Sequence, residues 1–396
     1  MKSAVAMSYE LDDPEKAAEQ LVLSIKDKLS IQKNSAGILF CDADTDGAAL
    51  TGALKARLGF EISGMTSLAV LENSGHHEGA LVLLVFSADD AAFRAVVSEP
   101  LSGEGREKRL EKTVGECAAA CDGYGTKPAL VFAFCPSGMP FSGDKYPDLF
   151  SKFLENVPIM GGVCSDDYNY DQTRVFFSGK EYKDSLVLLS LWGNIKPAFA
   201  LRHVTSRFAE RTRRVTQAED NKVYRVGDET FVRYLEGFGL KTDVDDPLLA
   251  FTSYPMMLTR DGKNETPLMR HIAALNREDG SGTFLGDVPA GALANICLIT
   301  KDDIMASCRE SMNSLLAEAE KQKDYEYSAI LCISCCGRAM ILGKDAAAEG
   351  NILSGMLPSN FSLAGAYCLG EISPTHYSEN NVSNRFHNCS IAFCMI

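Results

Sequence analysis

The chain has one tryptophan and six histidines in 396 residues. No apolar stretch approaches the ~18 residues a membrane-crossing helix needs; the longest runs, Leu81 to Phe86 and Leu186 to Leu191, have strand length. Positive charge is short, with 39 basic against 53 acidic residues and a formal net charge of −14. That balance excludes a broad positive surface field for nucleic acid or an anionic membrane. The segment Met1 to Asp13 lacks the apolar centre of a secretory signal. Thirteen cysteines without an export signal point to a reducing cytoplasm and free thiols, and an odd number cannot pair completely.

What remains is ordinary for a globular chain: 46% hydrophobic and 23% charged residues, which excludes disordered and fibrous classes. At roughly 150 residues per domain the length predicts two or three units. Asp12 and Glu15 stand in capping-box register with Pro14 in the first turn, and Ala17, Leu21, Ile25 and Leu29 follow as one helix face. Strands are expected at Ala36–Cys41, Ala80–Phe86, Ala129–Cys135 and Ser185–Leu191, and helices at Tyr146–Leu154 and around Leu110, Val114 and Cys117. Asp89-Asp90 reads as the cap of a helix carrying Phe93, Val96 and Val97. Residues 201–240 read as a hairpin-and-helix insert. Its arginines (Arg202, Arg207, Arg211, Arg213, Arg214) fit a solvated strand face better than a phosphate site.

Element order then repeats. Ala329–Cys335 echoes Ala129–Cys135, Gly365 echoes Gly162, and the Cys389 strand echoes that at Ser185, at offsets of 200, 203 and 204 residues. Ala294–Thr300 with the helix after Asp302-Asp303 echoes the strand and Asp89-Asp90 of the first half. The expected fold is therefore α/β: two related halves from an internal duplication, 1–200 and 241–396, with sheets flanked by helices and packed sheet to sheet. Ligands are expected at the seam.

Several clusters carry chemistry. Cys332 and Cys335 form half of a zinc motif, but no second half exists and a strand turns them to opposite faces, so no metal site is expected. Cys335 or Cys336, beside Arg338, is either a buried apolar side chain or an activated thiolate, for which His271, His376 or His387 is the candidate base. Gly162 followed by Ser165, Asp166 and Asp167 is either a ligand-contacting turn or a tight Asp-capped one. Gly370 and Glu371 close an apolar strand before a polar stretch, Thr375 to Asn384, that reads as a lid loop. Arg270 and Arg338 are guanidinium groups in apolar sequence, each with an internal or a ligand carboxylate as partner. No cofactor motif is present.

The ordered set resembles one family, the FIST sensory module. Its N-terminal half is resembled by Gly161-Gly162 with Ser165-Asp166-Asp167, by Val215 through Val226 to Tyr234-Leu235, and by Pro247-Leu248. Its C-terminal half is resembled by Arg270-His271-Ile272, Ser334 to Arg338, Gly365, Gly370 to Pro374 and Phe386-His387-Asn388. The resemblance implies a small-ligand sensor, amino acids being the implied class, that signals through a separate output protein. It supplies no catalytic residues. The expected ligand contacts are Arg338, Arg270, Glu371, Asp166, Asp167, Ser165, Gly162, Gly370 and Asn388, with the first three converging on one cavity. The competing expectation is a hydrolase or transferase acting through Cys335 or Cys336 on a small amide or acyl substrate.

Overall fold

Strand, helix, strand, helix, strand, hairpin, strand is the order of the first 88 residues, and it recurs twice. A computed structural model describes residues 1–138, 142–204, 212–259, 266–322, 324–378 and 380–396. The first unit is β1 (Lys2–Ser8), α1 (Pro14–Lys28), β2 (Asn34–Cys41), α2 (Gly47–Leu58), β3 (Ile62–Thr66), the hairpin β4 (Val70–Glu72) and β5 (Gly75–His77), and β6 (Leu81–Ala88). The second is β7 (Ala92–Val97), α3 (Arg106–Tyr124), β8 (Leu130–Cys135), α4 (Lys145–Phe153), β9 (Ile159–Val163), the hairpin β10 (Val175–Phe177) and β11 (Lys180–Tyr182), and β12 (Val187–Trp192).

The third unit opens with β13 (Ala198–His203) and is then interrupted by a block with its own sheet. That block comprises β14 (Arg213–Glu219), β15 (Lys222–Val226), β16 (Glu229–Thr230), α5 (Phe231–Glu236), α6 (Pro247–Ala250), β17 (Met256–Thr259), β18 (Leu268–Arg270), β19 (Ile272–Asn276), β20 (Ser281–Phe284) and β21 (Leu293–Ile296). The unit resumes with α7 (Lys301–Glu320), β22 (Ala329–Cys335), α8 (Cys336–Leu342), α9 (Ala348–Met356), β23 (Ser362–Cys368), the hairpin β24 (Glu371–Ser378) and β25 (Asn381–His387), and β26 (Ser390–Met395).

Three sheets follow one plan: β1-β6-β2-β3-β10-β11, β7-β12-β8-β9-β24-β25 and β13-β26-β22-β23-β4-β5. In each, the two central strands of the unit are parallel. The hairpins are exchanged in a cycle, so every sheet is completed by a neighbouring unit. The inner faces share one core, built from Ile38 and Leu84, Phe132 and Leu189, and Leu331 and Ala392. Helices cover the outer faces: α1 and α2 over Leu39, α3 and α4 over Val131, α7 and α9 over Ile330. Burial on both faces explains why the central strands are continuously apolar.

The repeat expected between second and third units is present, and it extends to a third copy at the amino end. Its register differs from the expected one by a single residue. Leu39 lies opposite Gly64 and Leu83, Ala133 opposite Gly161 and Leu188, and Cys332 opposite Gly365 and Phe393. A Cβ at Gly64 would stand 1.8 Å from Leu39 O, and one at Gly161 would stand 1.9 Å from Ala133 O. Gly161, not Gly162, therefore matches Gly365, and Leu130, not Ala129, matches Ala329. A one-residue slip would exchange the inner and outer faces of a strand.

Five local expectations are corrected. Phe93, Val96 and Val97 lie on strand β7, paired antiparallel with β12; over five residues a helical spacing is indistinguishable from a β-branched strand. Within the 375–384 stretch, residues 375–378 and 381–384 pair as β24 and β25 and not as a loop, with a bulge after Pro374 that accommodates the missing N–H; residue 379 lies outside the described residues. The hairpin β14–β15 and helix α5 belong to an eight-stranded sheet that includes β21. Val215 and Val226 need cover on their apolar face, and Phe231, Ile272 and Ala294 supply it. The strand expected at Ala294–Thr300 thus belongs to this added sheet and not to the repeat. The α1 cap is Asp13, whose side chain accepts from Lys16 N. Arg207 and Arg211 lie outside the described residues.

Candidate functional site

Arg338, on α8, points into the outer face of the third sheet. Its Nη2 donates to Glu349 Oε1 at 2.6 Å, to Ser307 Oγ at 3.1 Å and to Ile304 O at 3.1 Å, and Nε donates to the same carboxylate at 3.0 Å. Glu349 Oε2 accepts from Ser334 at 3.1 Å and from Tyr367 at 3.3 Å. The expected partner Glu371 is not in this network; it lies at the start of β24, where Oε2 accepts from Ser390 Oγ at 2.6 Å and Ser390 N at 3.2 Å. Burial raises the Glu371 carboxyl to about 8 against the lowering effect of those bonds. Burial thus favours its protonated form.

Arg270, on β18, is equally buried and is consumed by bracing three elements. Nη2 donates to both oxygens of Asp144 at 2.8 and 3.1 Å, Nε to Asp287 O at 3.0 Å, and Nη1 to Phe386 O at 3.2 Å. It stands in the wall of a cavity of about 610 Å³ between the added sheet, α4 and the β24–β25 hairpin. Asp148, Asp220, Asp287, His376 and Arg385 also line that cavity. Burial, reinforced by Asp144, raises the Asp148 and Asp287 carboxyls. Asp287 Oδ1 has no hydrogen-bond partner among the described residues, and the Arg385 charge acts on Asp148 against that rise.

The structure therefore does not bring Arg338, Arg270 and Glu371 to one cavity. It places Arg270 and the 375–385 hairpin on the same cavity and seats the other two elsewhere. Asp166 is a brace: its carboxylate accepts from Tyr170 N at 3.0 Å and Gln172 N at 3.2 Å. Asp167 is exposed and accepts from Asn169 at 2.7 Å. Ser165 Oγ donates to Tyr367 O at 2.5 Å and accepts from Leu68 N at 2.9 Å. Gly162 pairs with Glu371 across β9 and β24. Gly370 exists because a Cβ there would stand 2.2 Å from the Phe386 ring. Asn388 is buried and donates to His387 O at 3.0 Å.

The twelve cysteines whose side chains are described are buried and form no disulfide with one another. Burial pushes Cys335 far up and Cys336 to about 12, so neither is a thiolate at neutral pH. The histidine against a thiol is His271, whose Nε2 lies 2.8 Å from Cys389 Sγ, a cysteine the sequence did not single out. Burial lowers His271 to about 4. His387 Nδ1 lies 3.2 Å from His203 Nε2, not against a cysteine. Sequence reasoning also missed Glu349, Asp144, Asp287 and Arg385. Only Asp144, just ahead of an amphipathic helix, carried a local signal.

In the described residues no group of three or more His, Cys, Asp or Glu is placed to hold a metal ion, and no helix is long and apolar enough to cross a membrane. The fold is that of a helix-flanked α/β protein with an added sheet closing cavities against its body. Residues 35–229 match the FIST N domain and 229–374 the FIST C domain, and the chain belongs to the FIST family. FIST domains are sensory, ligand-binding modules of signal transduction.

The uncharacterised protein MJ1623 of Methanocaldococcus jannaschii is 27% identical over 197 residues, 47% of this chain and 36% of that protein. This chain thus aligns with about a third of the relative's length. A cyanuric acid hydrolase from A. caulinodans is similar at 9% identity and a TM-score of 0.38, over 99% of this chain and 98% of that one. A likeness of that strength assigns neither activity nor substrate.

Proposed function

We propose that this protein is a cytoplasmic sensor of a small amino acid and passes its state to a separate signalling protein. The observation carrying this reading is the charged cavity, where guanidinium groups and several carboxylates face one space; among the described residues Asp287 Oδ1 has no hydrogen-bond partner, and Arg385 acts on Asp148 through its charge. A zwitterion needs both signs at once: a planar fork for its carboxylate and an anion for its ammonium. Arg385 takes the first role and Asp287, with Asp148, the second. Arg270 shapes the wall, since its donors are already used.

A thermal-shift screen of the purified protein against the common amino acids tests this. A ligand at roughly 100 times its dissociation constant adds ~2.7 kcal/mol of stability. The shift should vanish in Arg385→Leu and in Asp287→Asn. Absence of any shift at millimolar amino acid, or a shift indifferent to both substitutions, overturns the reading.

The second reading, a cysteine-dependent hydrolase or transferase, has the His271–Cys389 contact in its favour. Burial works against it by holding both partners neutral. Fast, single-site labelling by iodoacetamide, relative to a free-thiol standard, would restore it.

A further inference from the structure

A second cavity, of about 330 Å³, lies behind the same wall. Arg385 and Phe386 are consecutive on β25, and alternation along a strand sends the first to the charged cavity and the second to this one. It opens at the carboxyl ends of β8 and β9, the edge where open α/β sheets place their ligands. Its walls include Tyr146, Tyr170, Phe284, Phe386, Leu248 and Leu285, and no charged side chain of the described residues lines it.

Two features mark the cavity as more than a packing gap. Tyr168 and Tyr170 sit at φ of 72° and 63°, a left-handed conformation that bulky residues avoid. The buried Asp166 carboxylate enforces that conformation by taking the backbone N–H of Tyr170 and Gln172. The result is a Tyr170 ring held over the cavity while 39% exposed. Asn221, also in the lining, donates from Nδ2 to Phe284 O at 2.9 Å, which leaves the side-chain Oδ1 as its acceptor.

We propose that this cavity binds a flat, uncharged, fused two-ring aromatic molecule carrying a ring N–H. Size sets the ring count: a dry cavity of roughly 150 Å³ takes one benzene, and this one is about twice that. With no charge among the described lining residues, a zwitterion or carboxylate would enter without an offset for its desolvation. Tyr170 and Phe386 supply faces for stacking, and Asn221 supplies the acceptor for the N–H. The site is separate from the charged cavity and does not depend on the amino-acid reading.

Indole is the probe, followed by equilibrium dialysis and thermal shift on the full chain. Saturable binding is expected, weakened at least tenfold by Tyr170→Gly. Glycine suits the backbone there, so the variant should melt no lower than the parent. Indene, which lacks the N–H, should bind more weakly, and indole-3-acetate should not bind. Asp220→Asn, in the charged cavity, should leave indole binding unchanged. The proposal fails if indole does not bind, if Tyr170→Gly binds it as tightly as the parent, or if indole-3-acetate binds equally well. Loss of indole binding in Asp220→Asn would place the ligand in the charged cavity and overturn it as well.

Discussion

Arg338 and Glu349 form a salt bridge with side chains 1% and 0% exposed, closed in by α7, α8 and α9. The pair ties the end of β22 to two helices, and Ser307, Ser334 and Tyr367 satisfy much of its remaining hydrogen-bonding capacity. Such an arrangement fixes geometry more than it recognises a ligand.

Removing one partner should therefore unfold more than it unbinds. Glu349→Leu leaves a buried guanidinium without its carboxylate, a change that costs ~3–5 kcal/mol. Arg338→Met combined with Glu349→Leu should cost less than Glu349→Leu alone. Arg338→Lys should lower the melting temperature while ligand-induced stabilisation persists. Denaturant titration of the three variants checks this, and a lost ligand response at unchanged stability would return Arg338 to the binding site.

Glycine substitutions test the threefold register. Gly161→Ala would place a methyl 1.9 Å from Ala133 O, between parallel strands that cannot separate without losing hydrogen bonds. It should destabilise by several kcal/mol, within the range of severe overpacking (~1–3 kcal/mol or more). Gly123→Ala, on α3 with open space around it, should stabilise by up to ~1 kcal/mol. If Gly161→Ala melts like the parent, the register assigned to β8 and β9 is wrong.

Much of this architecture was legible because it is written locally. Continuous apolar runs such as Leu81 to Phe86 mark strands buried on both faces, and Asp302-Asp303 marks the first turn of α7. The first unit escaped as a repeat because its likeness lies in order and pairing, with Leu39 and Gly64 in the places of Cys332 and Gly365. The site was legible as residue types but not as partnerships. Arg270 meets Asp144 across 126 positions and Phe386 across 116, and no spacing rule reaches that far. Glu371 read as a strand-end anion because its burial comes from β26, through Ser390, nineteen residues on.

Glu371 gives stability a slope with pH. Its folded value of about 8 lies above the ordinary 4.5, so between those values the folded state holds a proton that the unfolded chain releases. Stability on this account falls as pH rises through that window, by up to ~1.4 kcal/mol per pH unit. Glu371→Gln mimics the protonated acid. It should match the parent near pH 4.5 and exceed it in melting temperature at pH 8. Equal melting of the two proteins at pH 8 would mean that the carboxyl is ionised and compensated in the fold.

Buried histidines give the opposite slope. Burial lowers His203 to about 3 and His271 to about 4, and it drives His387 well below 6.5, with His203 and Arg270 adding to the effect. All three are neutral in the folded state near pH 5, whereas the unfolded chain takes up a proton on each below ~6.5. The unfolded state then binds more protons, so stability falls as pH falls from about 6.5 towards 4. Three such groups contribute on the order of 4 kcal/mol per pH unit at full effect, and Glu371 offsets one proton's share. His203 and His387 are linked ring to ring at 3.2 Å, with His387 Nε2 also against Ser373 O at 3.2 Å. Joint replacement, His203→Gln with His387→Gln, should therefore lower stability at pH 7 but flatten its acid limb by about two protons' share. Urea unfolding at pH 7, 6 and 5 measures that slope. An acid limb as steep in the double variant as in the parent would show that these rings do not supply it.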